Sequence, residues 1–272
     1  MINSKSYGLQ TETRQYLRRL YAYGRELNLS DVSDIDNFIA GLKQLNLWNR
    51  IVCYPLRSIH NIGTGSIVLS LGGYKHTQSF DGTLINSPVW NLNGLIFSNP
   101  TSSSNIQRID INTVIPRTRI NSFVFGCGSI STTTNFNRYT DLQDGSANGY
   151  NPLLQHGVTR LDGCSFLMPN KTISSSPQVS ITTASIVLNA FNTFCGSKQG
   201  NTIRATINGS ITNTANATSG FSQPTANNGT ICAFYNGTIS FTALGDFDLS
   251  LAQVQEFNNL YKTTIGKGLG LP

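Results

Sequence analysis

Thirteen acidic side chains, three histidines and five cysteines are the first residues to weigh for acid–base, metal or nucleophilic chemistry. The commonest way of hydrolysing a glycosidic bond takes two carboxylates across the bond, one as acid and the other as nucleophile or base. The three glutamates, Glu12, Glu26 and Glu256, fall in segments that read as helices. The aspartate pairs Asp141/Asp144 and Asp246/Asp248 fall in turn-like sequence, so no such pair is set on a strand. His60, His76 and His156 lie far apart, and no H-x-x-x-H, G-x-S-x-G or Gly-rich phosphate loop occurs. Cys53, Cys127, Cys164, Cys195 and Cys232 are odd in number, widely spaced and without a C-x-x-C. They read as reduced, buried small hydrophobes, with one or two disulfides left open. The expectation is a chain that is not an enzyme, with no catalytic or metal-ligating residue to name and no cofactor.

Recognition chemistry is better supplied. A sugar site needs an exposed aromatic with Asn, Asp or Arg beside it. The run Phe136-Asn137-Arg138-Tyr139, with Asp141 and Tyr150, offers that combination inside the longest irregular stretch, residues 129–156. Arg138, Tyr139, Asp141 and Tyr150 are therefore candidate glycan- or partner-binding residues, joined by Trp90, which stands near Pro88 and Asn91. Subunit contact or ordinary loop packing is the alternative role for each. Near the N-terminus, Arg14, Arg18, Tyr21 and Arg25 share a helical stripe. They are candidates for docking on an acidic partner, against the plainer reading of a solvated basic face.

Composition narrows the partners. Only 12% of residues are charged, and Asn, Ser and Thr make up roughly a third of the chain. The net charge is +6, but Lys and Arg are scattered and never interleaved with aromatics in a stripe, so nucleic acid is not expected. No apolar stretch is long enough to span a membrane, and the first residues are polar, without an apolar leader. The N-x-[ST] sequences at Asn28, Asn170, Asn208, Asn216, Asn228 and Asn236 are what chance gives in such a composition. The chain thus reads as made in a cytoplasm yet composed like an extracellular protein. A virus particle, assembled in a host cytoplasm and working outside it, meets both conditions.

The elements that must position these residues are helical at the ends and extended between. Residues 11–27 read as a helix, with Leu17, Leu20, Gly24 and Leu27 on one stripe. Residues 30–52 read as a second, capped by Ser33, with Ile35, Phe38, Ile39, Leu42, Leu45 and Trp48 on its apolar face and Pro55 beyond it. That face must be covered by the β domain or by a partner subunit. From about Ile59, short runs rich in Ile, Val, Phe and Thr alternate with Gly, Asn, Ser and Pro clusters: 66–71, 94–98, 106–112, 120–125, 182–190, 202–207 and 238–244. Asn208-Gly209 and Asn236-Gly237 predict hairpins, because both residue types tolerate positive φ. A last helix begins at Ser250 with Gln253 in a capping box, burying Val254, Phe257, Tyr261 and Ile265, with Gly266 as its stop.

The order of these pieces resembles a known family. The final strand, residues 237–244, followed by Leu249-Ser-Leu-Ala-Gln-Val-Gln-Glu-Phe-Asn-Asn-Leu-Tyr261, is similar to the C-terminal end of concanavalin A-like, laminin G-like sandwiches. The helix Asp36-Asn-Phe-Ile-Ala-Gly-Leu-Lys-Gln-Leu-Asn-Leu-Trp48 and the strand Asn93-Gly-Leu-Ile-Phe-Ser98 resemble the lead-in of such domains in bacteriophage particle proteins. The likeness covers roughly residues 34–100 and 200–265. It implies a mainly β fold, an antiparallel β-sandwich (concanavalin A-like jelly roll) with N-terminal helices and a short C-terminal helix. Residues 1–30 would form a helical anchor segment, and 31–272 the lead-in helix plus sandwich. It also implies a non-enzymatic virion component, tail-fibre-like, partnered by other virion proteins as a homo-oligomer and by host-surface carbohydrate. A capsid decoration protein and a free-standing lectin are the alternatives. Relatives of this fold often hold calcium, for which Asp141-Leu-Gln-Asp144-Gly145 has the oxygen density. Fold alone does not choose among these functions.

Overall fold

The computed structural model describes residues 8–72, 80–98, 106–111, 123–131, 137–138, 140–141, 153–156, 164–167, 178–181, 189–216, 229–231, 235–245, 247 and 249–272. Helices α1 (Thr11–Ala22) and α2 (Leu29–Gln44) come first, and a single 3₁₀ turn (Trp48–Arg50) leads into the strands. These are β1 (Ile51–Pro55), β2 (Ile67–Val68), β3 (Leu71–Gly72), β4 (Gly82–Ile85), β5 (Val89–Asn91), β6 (Gly94–Ser98), β7 (Arg108–Ile111), β8 (Phe123–Ile130) and β9 (Asn137–Arg138). There follow β10 (Thr140–Asp141), β11 (Leu153–His156), β12 (Cys164–Leu167), β13 (Gln178–Ile181), β14 (Asn192–Gln199), β15 (Thr202–Ile207), β16 (Ile211–Asn216), β17 (Gly229–Ile231) and β18 (Asn236–Gly245). Helix α3 (Leu251–Thr263) closes the chain. The mainly β, antiparallel sandwich with helices at both ends, expected from the sequence, is the fold observed.

A nine-stranded sheet is the middle layer. Its order is β16-β15-β14-β8-β18-β1-β3, with β6 on the first half of β18 and β5 on β6. A five-stranded sheet, β10-β17-β7-β4-β2, and a four-stranded one, β13-β12-β11-β9, complete the β structure described. Alternation along β1 shows how the layers form. Val52 and Tyr54 join the core shared with Val68, Leu84, Ile109 and Ile231 of the five-stranded sheet. Ile51 and Cys53 join the core shared with the three helices. In β8, Val124 and Ile130 face the sandwich while Phe123, Phe125 and Cys127 face the helices. Both faces of the middle sheet are therefore dry at its centre, where β8 is buried along its whole length, while the edge strands β5 and β16 are largely exposed. Its sequence accordingly reads as a continuous apolar run, where a strand wet on one side would alternate.

The helices end on signals that the periodicity overrides when read alone. In α1 the chain turns at Gly24 (φ 73), whose N–H donates to Tyr21 O at 2.9 Å, while Arg25 N–H donates to Leu20 O at 3.0 Å. This is a Schellman stop, five residues before the helix end expected at Leu27. Helix α2 ends the same way at Asn46 (φ 56), with Asn46 N–H to Lys43 O and Leu47 N–H to Leu42 O. Its N-cap is Asn28, whose side chain accepts from Asp31 N–H, and not Ser33, which lies inside the helix. Pro55 is a strand residue paired with Phe241. Helix α3 has the expected Ser250–Gln253 capping box, and Val254, Phe257, Tyr261 and Ile265 are all buried.

The two Asn-Gly pairs part company. Asn208 (φ 53) and Gly209 (φ 70) turn β15 into β16 as expected. Asn236-Gly237 makes no hairpin: both residues open β18, and β17 lies in the other sheet against β7 and β10. Gly237 (φ 139) is needed for closeness, because a Cβ there would come within 2.0 Å of Ser129 O on β8. Gly237→Ala is expected to cost about 2–3 kcal/mol through strain and parted strands, read as a lower urea midpoint. A change below about 0.5 kcal/mol would refute this account of the glycine. The segment 66–71 likewise splits into β2 and β3 in different sheets. The strand expected at 182–190 lies mostly outside the described residues, and Asn189 is in a turn.

The first helix does not stand apart from the sandwich. Tyr16 and Leu20 are buried in the same core as α2, α3 and the middle sheet. Arg19 donates to Ser70 O at 2.9 Å and pairs with Asp81. Asp36 of α2 accepts from Gln10 N–H (2.8 Å) and Thr13 Oγ1 (2.6 Å), capping α1 from its neighbour. The division at residue 30 drawn from the sequence therefore does not coincide with a break in the core.

Candidate functional site

The segment after β1 joins four parts of the molecule. Buried Arg57 donates from Nε to Leu92 O (3.1 Å) at the tip of the β5–β6 hairpin. Its Nη1 donates to Ile265 O (3.1 Å) and Lys267 O (2.8 Å) beyond α3. Burial lowers its guanidinium from the usual range, and Tyr261, Asp31 and other neighbours offset that in part. Ser58 N–H donates to Asn91 O at 2.9 Å, and its own carbonyl accepts from Arg25 Nη2 at 2.9 Å. Tyr16 Oη donates to His60 O at 2.9 Å. Asn61 is buried and spends its amide on Pro55 O, Leu69 O and Leu69 N–H. Hairpin tip, α1–α2 connection and C-terminal turn are thus held to one another through residues 57–61.

Around this junction the surface is unusually apolar. Six large hydrophobic side chains are exposed among the described residues. Five of them, Tyr21 (61%), Tyr23 (53%), Leu29 (60%), Val89 (59%) and Leu92 (64%), lie on or at the ends of the α1–α2 connection and on the β5–β6 hairpin. Single exposed apolar residues need no explanation, but several on two segments that Ser58 ties together make a candidate interaction surface. Only Tyr21 of the five was singled out in the sequence. The others carry no local signal, because the segments meet only in the fold.

The docking candidates divide on their surroundings. Arg14, Arg18 and Tyr21 are exposed, and Arg14 Nη2 donates to Thr11 Oγ1 at 3.2 Å. Arg25 is half-buried and its guanidinium is engaged with Ser58 O. Trp90 is half-buried against the sandwich core, and its indole N–H donates to Gly65 O at 3.1 Å. Arg138 pairs through its backbone with Gln155 in the four-stranded sheet, and Asp141 with Thr230 in the five-stranded sheet. The chain therefore passes from one sheet to the other between them. Tyr139 and Tyr150 lie outside the described residues, as does the Asp144-Gly145 end of the calcium candidate. Cys53, Cys127 and Cys195 are buried and free, and burial raises the thiols of Cys53 and Cys127.

Several carboxylates have structural partners. Glu12 pairs with Lys43 at 2.6 Å, Asp110 with Arg108 at 2.7 Å, and Asp81 with Arg19. Glu26 and Glu256 are exposed on or beside helices. Asp31 and Asp34 in α2 differ: burial raises both, and for Asp31 the neighbouring Asp34 adds to it.

A large antiparallel sheet packed on smaller ones, with helices on its outer face, defines an antiparallel β-sandwich. Among solved structures, the Trypanosoma rangeli sialidase in complex with 2,3-difluorosialic acid is similar, with a TM-score of 0.53 and 12% identity over 86% of this chain and 39% of that one. The binding domain of botulinum neurotoxin serotype D is similar with a TM-score of 0.52 and 9% identity, over 79% of this chain and 52% of that one. The chain thus spans well under half of the sialidase and about half of the toxin domain, and these likenesses establish the fold. No family model and no curated protein matches the chain.

Proposed function

We propose that this chain is a non-enzymatic recognition domain carried on a phage particle, and that its ligand is an acidic, sialic-acid-type glycan of the host surface. The observation that carries the recognition reading is the exposure of Tyr21, Tyr23, Leu29, Val89 and Leu92 on two segments that Ser58 holds to one another, which we read as one rim. That rim is the face by which the domain docks on another virion protein or on a second copy of itself, leaving the strands around Arg138 and Asp141 for the glycan. The virion setting draws its support from the composition and from the lead-in helix that resembles those of phage particle proteins. The acidic glycan draws its support from the net charge of +6 and from the similar sialidase, whose structure holds a sialic acid derivative. Repetition on a particle would turn a weak single site into firm attachment.

A glycan array probed with the multimerised full chain tests the ligand. Saturable binding to sialylated glycans, reduced at high salt and by Arg138→Ala, is the expected result. Equal retention on neutral and sialylated glycans, or none on either, would end the acidic-glycan reading. Measuring mass in solution for the wild type and for Tyr21→Ser/Leu92→Ser tests the rim. The wild type should associate with itself or with particle proteins, and the variant should not.

A further inference from the structure

Asp31 and Asp34 lie three residues apart in the first turns of α2, so their side chains leave the same face of the helix. His60 reaches that face from the segment that follows β1. One carboxylate oxygen from each aspartate and one imidazole nitrogen lie within 4.8 Å of one another. Three ligand atoms held by a single ion through bonds of about 2.1 Å stand about 3–4 Å apart, so small side-chain rotations close the gap.

A second observation points to a ligand. His60 is 1% exposed, and neither Nδ1 nor Nε2 has a hydrogen-bond partner among the described residues. A buried polar group without a partner is costly, and an imidazole has one in either a hydrogen bond or a metal. Of the neighbouring cations, Arg57 donates to the carbonyls of Leu92, Ile265 and Lys267 and Arg25 to that of Ser58, while Lys267 offsets the burial of Asp34 from a distance. No ion pair closes on Asp31 or Asp34 among the described residues. Two like charges thus face each other in partly desolvated surroundings beside a nitrogen that has nothing to bind.

We propose that Asp31, Asp34 and His60 form a binding site for one divalent transition-metal ion of the zinc or manganese class. One imidazole with two carboxylates is a donor set for such ions, whereas calcium takes oxygen ligands. The ion would fasten the start of α2 to the segment that carries Arg57 and Ser58, directly beneath the apolar rim. Its role is then to stiffen that rim, and it stands whether or not the rim binds a particle protein.

The test uses the untagged full chain, stripped of metal by chelator. Zinc is titrated by calorimetry and cobalt by visible absorption. One equivalent per chain is expected, with d–d bands of a nitrogen–oxygen set, no thiolate-to-cobalt charge transfer, and a higher Tm on adding zinc. D34N and H60Q should each weaken uptake more than about tenfold. Asp34 is half-buried and asparagine has its shape, so D34N should keep the wild-type circular dichroism even if H60Q does not. Absence of uptake by the wild type, charge-transfer bands from cysteine, or undiminished uptake by folded D34N would overturn the proposal.

Discussion

Phe257→Ala is expected to lower the free energy of unfolding by about 3–5 kcal/mol, the largest loss of any single truncation considered. Phe257 lies at the centre of the layer between α3 and the middle sheet. Its ring meets Phe38 of α2 (centroids 6.2 Å apart), Phe123 (5.0 Å) and Phe125 (4.9 Å) of β8, each edge to face. Removing it empties a space bounded by rings on a helix and a strand, and rings so interlocked do not collapse to fill it. Urea unfolding followed by tryptophan fluorescence measures the effect. A loss under about 1 kcal/mol would mean that α3 is loosely laid on the sheet.

The double variant Tyr16→Ala/Leu20→Ala is expected to be destabilised by more than about 4 kcal/mol, since a single large-to-small change in a core costs about 2–5. Both side chains are almost wholly buried, Tyr16 at 2% and Leu20 at 0%. The Tyr16 hydroxyl also holds the His60 carbonyl. At about 2–4 °C per kcal/mol for a chain of this size, the melting temperature should fall by ten degrees or so. An anchor helix free of the sandwich would show no such fall, so calorimetry of this variant decides whether α1 is a tether or a layer of the domain.

How much of this was legible in the sequence depends on how local each cause is. The capping box of α3 needs only Ser250 and Gln253, three residues apart, and its buried face needs only the helical period. The Asn208-Gly209 hairpin is equally local. Gly24 and Asn46 are stop signals that were present but outweighed, because Leu27 and Trp48 happened to continue the apolar spacing past them. Asn236-Gly237 misleads for the opposite reason: a dipeptide that favours a turn is used where two strands press together, and only the position of Ser129 reveals it. The junction at Arg57 could not be read at all. Its partners are at Leu92 and at Ile265, more than two hundred residues further on, and nothing in the sequence ties these carbonyls to one guanidinium. His60 carries no local signal for the same reason, since Asp31 and Asp34, beside it in the fold, belong to a helix well before it in the chain.

The middle sheet, roofed by helices on one side and by strands on the other, has a further consequence. Its central strands have no open face left to offer a ligand, so a partner is met at its exposed edge strands β5 and β16, at the margins of the fold or on the outer surfaces of the thinner sheets. Those margins are built from connections that contribute little to either core. They are free to change in sequence and length without disturbing the layers beneath. A domain built this way can exchange one target for another quickly while its interior stays fixed.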